Sequence, residues 1–194
     1  MTAALNLPDR QDLTVDDLAD LPKDLRYELI DGRLVVPSPT PLHQSLGNKL
    51  SNALELLCPD DLFVSTDTSV AINHRNELRP DVLICGLDVA GRSPVPVRDV
   101  ILVAEIISPE STFRDRYQKT KLYASAGVPT YWVIDPMRER VTLTEFVLRE
   151  DGDYRSSVET DGLVTLDRPW EVTLNLPAWT IRRDQVRDSA RAKD

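Results

Sequence analysis

Arg79-Pro80-Asp81-Val82-Leu83-Ile84, then Val103-Ala104-Glu105-Ile106-Ile107, then Lys119 decide how this chain folds and what it can do. Val82-Leu83-Ile84 reads as a buried strand that starts directly after an acid. Ile101 to Ile107 is apolar at every position except Glu105, and Pro109 breaks the run close behind. An apolar run this short predicts a strand covered on both faces. A carboxylate set in such a strand loses its water and must find a compensating charge or hydrogen bonds. Two such acids on neighbouring strands repel when both are ionised. A divalent cation between them removes the conflict.

Strand side chains alternate faces, so Glu105 shares a face with Val103 and Ile107. Pro80 cannot donate a ladder hydrogen bond, which predicts an interrupted sheet edge at Asp81. The helix expected after Glu105 selects the lysine. At about 100° per residue, Asp115, Lys119, Leu122, Tyr123 and Ala126 fall within one arc, with Lys121 opposite. Lys119 therefore points inward and Lys121 outward. An ammonium near two acids can balance charge, steady a water or touch a phosphate.

Each residue also has a plainer reading. Asp115 and Lys119, four apart, fit a surface ion pair. Glu105 fits a buried acid bonded to backbone amides. Asp81 fits a turn, His43 a packing histidine on an apolar helix edge, and Glu28 a solvated cross-strand partner.

The rest of the chain sets the frame. A length of 194 residues suits a single domain, with a flexible start over about 1–12 and a charged tail over about 183–194. Cys58 and Cys85 have neither metal nor redox spacing, which points to a reducing cytoplasm. No apolar stretch reaches membrane-spanning length. The net charge of −9 argues against tight nonspecific nucleic-acid binding, although a local basic patch can still meet DNA. Leu13 to Leu18 predicts a short helix with Thr14 as N-cap. Asp31-Gly32 predicts a hairpin between Arg26–Ile30 and Arg33–Val36. Pro37 to Pro41 reads as a stiff connector. Leu42 to Leu57 reads as an amphipathic helix with Leu46, Leu50, Ala53, Leu54 and Leu57 on its stripe. Strands are expected at 62–65, 69–72, 130–134 and 140–148, with a polar turn over Asn73–Glu77 and a loop over Gly86–Val97. Ser111 or Thr112 is the expected cap of the helix that ends near Gly127. Val172–Leu176 and Trp179–Ile181 read as strand or loop, and the tail after Arg182 as frayed or helical.

Taken together, Tyr27-Glu28-Leu29-Ile30-Asp31-Gly32-Arg33-Leu34-Val35, His43, Pro80-Asp81, Glu105-Ile106-Ile107-Ser108-Pro109, Asp115, Lys119 to Tyr123, Ala126-Gly127-Val128 and Tyr131-Trp132-Val133-Ile134-Asp135-Pro136 resemble the Uma-type "putative restriction endonuclease" family of the PD-(D/E)XK nuclease superfamily. The likeness runs from about residue 13 to 148. It implies an α/β restriction-endonuclease-like core, a mixed central sheet flanked by helices. It implies Mg²⁺ or Mn²⁺ held by Asp81, Glu105 and the carbonyl of Ile106. The superfamily's usual lysine lies two residues after the acid, where this chain has Ile107; the Uma-type pattern supplies Lys119 from the following helix instead. Glu28 and His43 match family positions and join the candidate catalytic set. The implied activity is metal-dependent hydrolysis of phosphodiester bonds in DNA, with Arg75, Arg79, Arg114, Arg116 and Lys121 available to neighbouring phosphates. Cutting both strands suggests a homodimer. The rival readings are a catalytically silent nuclease-fold binding module and a metal-dependent hydrolase of small phosphoesters.

Overall fold

The computed structural model describes residues 12–18, 21, 25–109 and 117–192. The strands of its first half are β1 (Glu28–Ile30), β2 (Arg33–Val35), β3 (Leu62–Thr66), β4 (Val70–Asn73), β5 (Asn76–Leu78), β6 (Val82–Gly86) and β7 (Val95–Pro96). They are followed by β8 (Val100–Ile106), β9 (Thr130–Asp135), β10 (Thr142–Leu148), β11 (Tyr154–Thr160), β12 (Leu163–Leu166) and β13 (Val172–Asn175). The α-helices are α1 (Pro41–Glu55), α2 (Lys119–Ser125) and α3 (Leu176–Arg191).

The apolar run around Glu105 becomes β8, at the middle of a six-stranded sheet ordered β11-β10-β9-β8-β6-β3. β8 pairs antiparallel with β6 and parallel with β9, so the sheet is mixed. Both of its faces are covered, which is why its inner strands lack apolar-polar alternation. Val82, Ile84, Leu102, Ala104, Ile106, Trp132 and Ile134 pack with Leu46, Leu50 and Leu54 of α1, with the β12-β13 hairpin and with Leu176 and Trp179 of α3. Leu83, Cys85, Val103, Ile107, Tyr131 and Val133 pack the other way, against Tyr123 of α2 and against Ile30, Val70, Leu78 and Val95. Those last four belong to a five-stranded sheet ordered β2-β1-β5-β4-β7. Glu105 therefore lies on the face predicted from Val103 and Ile107.

Local signals account for most element ends. Asp31 (φ 50) and Gly32 (φ 78) turn the β1-β2 hairpin through the left-handed region that this tight connection requires. Thr40 caps α1 by accepting from His43 N, and Pro41 opens the helix. Gly127 (φ 81) follows α2, with its N–H donated to Ala124 O.

Several expectations are corrected. The helix over 13–18 is only a 3₁₀ turn at Asp16–Leu18, and Thr14 donates to Asp17 rather than capping as an acceptor. Helix α1 ends at Glu55, leaving Leu57 60% exposed beyond the stripe. Asn76 and Glu77 form a buried strand instead of extending the turn, because β5 is sandwiched between β1 and β4. The loop over 86–97 contributes Val95–Pro96 as an edge strand, where proline's missing donor costs no ladder bond. Trp179–Ile181 is helical, and α3 carries the expected tail through Arg191, with Arg183 1% exposed. Arg183 donates to the carbonyls of Pro136, Arg138 and Glu139, a set of acceptors that lies far away in sequence. The expected flexible start through residue 11, the Ser111 or Thr112 cap, and Arg114, Asp115 and Arg116 lie outside the described residues.

Candidate active site

The β6-β8 register pairs Val82 with Ala104. One more step along that antiparallel pair sets Asp81 opposite Glu105. The ladder stops there because Pro80 precedes Asp81. The Asp81 side chain takes over: its Oδ2 accepts from Ile106 N at 2.6 Å. This hydrogen bond fixes the acid at the end of β8.

Glu105 is 2% exposed and is held by two donors one helical turn apart on α2. Lys119 Nζ lies 2.9 Å from Glu105 Oε1, and the Tyr123 hydroxyl donates to the same oxygen at 3.0 Å. Lys119 is itself buried, with Nζ also 2.8 Å from Glu28 Oε1. Glu28 Oε1 further accepts from Arg79 N at 3.0 Å. Lys119 thus bridges a carboxylate of each large sheet, and charge pairing offsets the desolvation of all three groups. Lys121 is exposed, as the helical arc predicts. Burial, with the neighbouring Glu105 carboxylate next in size, pushes the Tyr123 hydroxyl well above its ordinary 10.0, so it stays a donor.

His43 arrives from the first turn of α1, on the other side of the sheet. Its Nε2 lies 2.9 Å from Ile106 O and 3.3 Å from Asp81 Oδ2. Both neighbours are acceptors, so Nε2 carries a hydrogen in this arrangement. The packing-histidine reading of His43 and the solvated reading of Glu28 are both overturned by these contacts. Glu28, His43, Asp81, Glu105, Ile106 and Lys119 all line one cleft of 490 Å³, so every candidate site residue is brought together. Val35 and Val36, with Pro37 to Pro39 of the stiff connector, form part of its wall.

Sequence reasoning left three contributors unassigned. Tyr123 stood on the Lys119 arc, and the i, i+4 spacing was the available signal. Arg26 and Asp67 line the cleft from a segment before β1 and a turn after β3, with nothing local to mark them. Arg79 lines it too, whereas Arg75 pairs with Asp12 and with the Asp31 carbonyl.

The donor set fits a hard divalent cation. Asp81, Glu105 and the Ile106 carbonyl supply oxygen ligands, which Mg²⁺ and Mn²⁺ favour. Asp81 Oδ2 and Ile106 O share His43 Nε2 as a neighbour, at 3.3 Å and 2.9 Å. Among the described residues, no three His, Cys, Asp or Glu side chains cluster closely enough to hold an ion by themselves. The Ile106 carbonyl would complete the set beside the two carboxylates.

A mixed sheet between helices, with paired acids and a buried lysine at a sheet break, defines a nuclease-fold protein of the restriction-endonuclease kind. The chain belongs to the family Uma2, described as "Putative restriction endonuclease", whose model matches residues 15–182. That match extends beyond the stretch on which the resemblance rested, through β13 and into α3. The fold is similar to the crystal structure of "a putative nuclease belonging to DUF820" from Anabaena variabilis ATCC 29413, with a TM-score of 0.66 and 17% identity, covering 87% of this chain and 99% of that one. No curated protein matches the sequence. Among the described residues, no helix is long and apolar enough to cross a membrane.

Proposed function

We propose that the cleft hydrolyses phosphodiester bonds in DNA with the help of Mg²⁺ or Mn²⁺. The observation that carries this reading is the meeting of Asp81, Glu105, the Ile106 carbonyl and Lys119 in one cleft. Asp81, Glu105 and the Ile106 carbonyl would hold the cation. Bound there, it would stabilise negative charge on the phosphate and acidify a water.

The chain's own groups prepare the site. Ile106 N and His43 Nε2 fix Asp81 and the Ile106 carbonyl. Lys119 and Tyr123 fix one oxygen of Glu105, and Glu28 fixes Lys119. The Lys119 ammonium adds positive charge where the pentavalent transition state gathers negative charge. Charge balance supports a phosphodiester as substrate. Among the described residues of the lining, Arg26, Arg79 and Lys119 face Glu28, Asp67, Asp81 and Glu105, three cations against four carboxylates. A divalent cation turns that deficit into a single positive charge, which matches the one negative charge of a phosphodiester. The description of the family as restriction endonucleases favours DNA, and double-strand cutting by protomers with one such cleft favours two copies.

The test uses the full chain, supercoiled plasmid and Mg²⁺ or Mn²⁺, with Glu105→Ala and Lys119→Ala alongside. Metal-dependent nicking that EDTA abolishes, and that both variants lose, is the expected result. Equal background cleavage by all three proteins overturns the proposal. Hydrolysis of a small diester without any cleavage of DNA or RNA reassigns the substrate to small phosphoesters. A monomeric mass by light scattering at concentrations that cut both strands removes the dimer.

A further inference from the structure

Asp67 is the one cleft-lining residue among those described whose non-glycine backbone is left-handed, at φ 52. Asp31 shares that conformation, but its hairpin turn requires it. No such hairpin demand falls on Asp67, whose N–H is bonded to the Asp81 carbonyl at 3.3 Å. A strained conformation held in place beside a site is a reason to ask what it positions. The Asp67 carboxylate gathers two guanidinium groups from distant segments. It contacts Arg26 Nη1 and lies 3.7 Å from Arg79 Nη1, which also donates to the Asp67 carbonyl.

A single carboxylate neutralises only one of these two cations, so the trio carries a surplus positive charge. The surplus is held close to Asp81, since Arg79 and Asp81 flank Pro80 and both line the cleft. Arg79 Nε is buried, with no hydrogen-bond partner among the described residues. The backbone of Arg79 is also tied to the Glu28–Lys119–Glu105 chain through its N–H, so the guanidinium is anchored to the same rigid unit as the acids. Arg26 is 66% exposed at the cleft edge and can swing onto a ligand.

We infer that Arg79 and Arg26, bridged by Asp67, form a second phosphate subsite that takes the phosphodiester group next to the one being cut. A guanidinium fork suits this oxyanion better than a lysine does. The position of this phosphate relative to the cut bond rests on the hydrolytic reading above. The capacity to bind a backbone phosphate does not.

The test is fluorescence anisotropy of a labelled DNA duplex without divalent cations, at several salt concentrations, with inorganic phosphate as a second probe. The proteins are the full chain, Arg79→Gln, Arg26→Gln and, as control, Arg140→Gln, whose guanidinium lies outside the cleft and pairs with Asp161. Arg79→Gln is expected to weaken binding about 10-fold and to lower the slope of log K against log salt by about 1. Arg26→Gln should weaken it less, and Arg140→Gln not at all. If Arg79→Gln does not fold, Arg79→Lys takes its place; it keeps the salt slope and loses affinity because the fork is gone. Wild-type affinity in the Arg79 and Arg26 variants, or no binding of DNA by the wild type, overturns the subsite. An effect on inorganic phosphate without one on DNA marks a free-anion site and also overturns it. Loss of binding in Arg79→Gln together with a plasmid that is never cut leaves the subsite standing and removes the hydrolytic reading.

Discussion

Glu105 and Glu145 are both buried in the six-stranded sheet, 2% and 1% exposed, and both accept from buried donors. Glu105 takes Lys119 and Tyr123 on one oxygen. Glu145 takes Trp132 Nε1 at 3.1 Å and the Ser157 hydroxyl, with Arg168 at 3.5 Å. They lie on opposite faces: Glu105 is in register with Val133, and Glu145 with Trp132. Burial and satisfaction therefore do not separate a reactive acid from a structural one. What separates them is the company. Glu105 has a second acid on the adjoining strand, an exposed route through a cleft and a main-chain carbonyl beside it. Glu145 meets only donors, and it lines neither the candidate site cleft nor the groove beside Arg183. A carboxylate that meets donors alone is stabilised in place. One that also meets another carboxylate retains a need for positive charge, and a ligand can meet that need.

The sharpest way to break this contrast is to neutralise each acid in turn. Glu105→Gln should lower plasmid cleavage by about 10²–10³-fold, the usual scale for removing a group that stabilises charge in a transition state. Glu145→Gln should leave the rate of cleavage unchanged and appear only as lost stability. Equal losses of activity in the two variants would erase the distinction. Glu28→Gln comes next: it keeps an acceptor for Arg79 N but removes one of two carboxylates from the buried Lys119. A loss of about 3 kcal/mol in urea unfolding is expected, at the low end for breaking a buried ion pair. Trp132→Phe isolates the structural acid, because Glu145 loses its indole donor. That should cost about 1–3 kcal/mol with cleavage intact.

The smallest effect is on the pH dependence of stability. The Tyr123 hydroxyl is raised well above 10.0 by burial and then by Glu105. The unfolded chain ionises this phenol near pH 10 and the folded one only higher, so its contribution is complete below about pH 10. It is lost as pH climbs from there toward the folded value. Tyr123→Phe should therefore show a shallower fall in urea midpoint between about pH 9 and pH 11 than the wild type. Parallel falls in the two proteins would contradict the buried-donor role of Tyr123.

The covered strands were legible because their residue types carry the message locally. Ile101 to Ile107 and Val82 to Ile84 are too apolar to face water on either side. The phase of α2 was legible too, since 100° per residue puts Lys119 and Lys121 on different sides whatever lies next to them. The paired Asp31-Gly32 turn is a matter of which residues tolerate positive φ. For Glu28 the plainer, solvated reading fails because a three-residue strand has too little pattern to show that a second sheet covers it. The strand at Asn76–Leu78 was misread for the same reason: its polar residues are buried by hydrogen bonding, as when Glu77 accepts from the Ser69 hydroxyl. Trp179 and the arginines after it looked like a weak strand and a tail because the apolar stripe of α3 is interrupted by charge. Arg183 is buried only because the carbonyls around Pro136 come to meet it.

By itself the sequence determined the covered strands around Asp81 and Glu105, the inward side of α2, and that Asp81, Glu105 and Lys119 are unusual in their settings. Tertiary structure alone decided that Lys119 joins two carboxylates from different sheets, that His43 crosses from α1 to the Ile106 carbonyl, and that Asp67 collects two arginines. The reason is physical. Periodicity records whether a side chain avoids water, a property of its own element. Which partner it finds there depends on strand register and layer packing between segments far apart in the chain, and no local pattern encodes that.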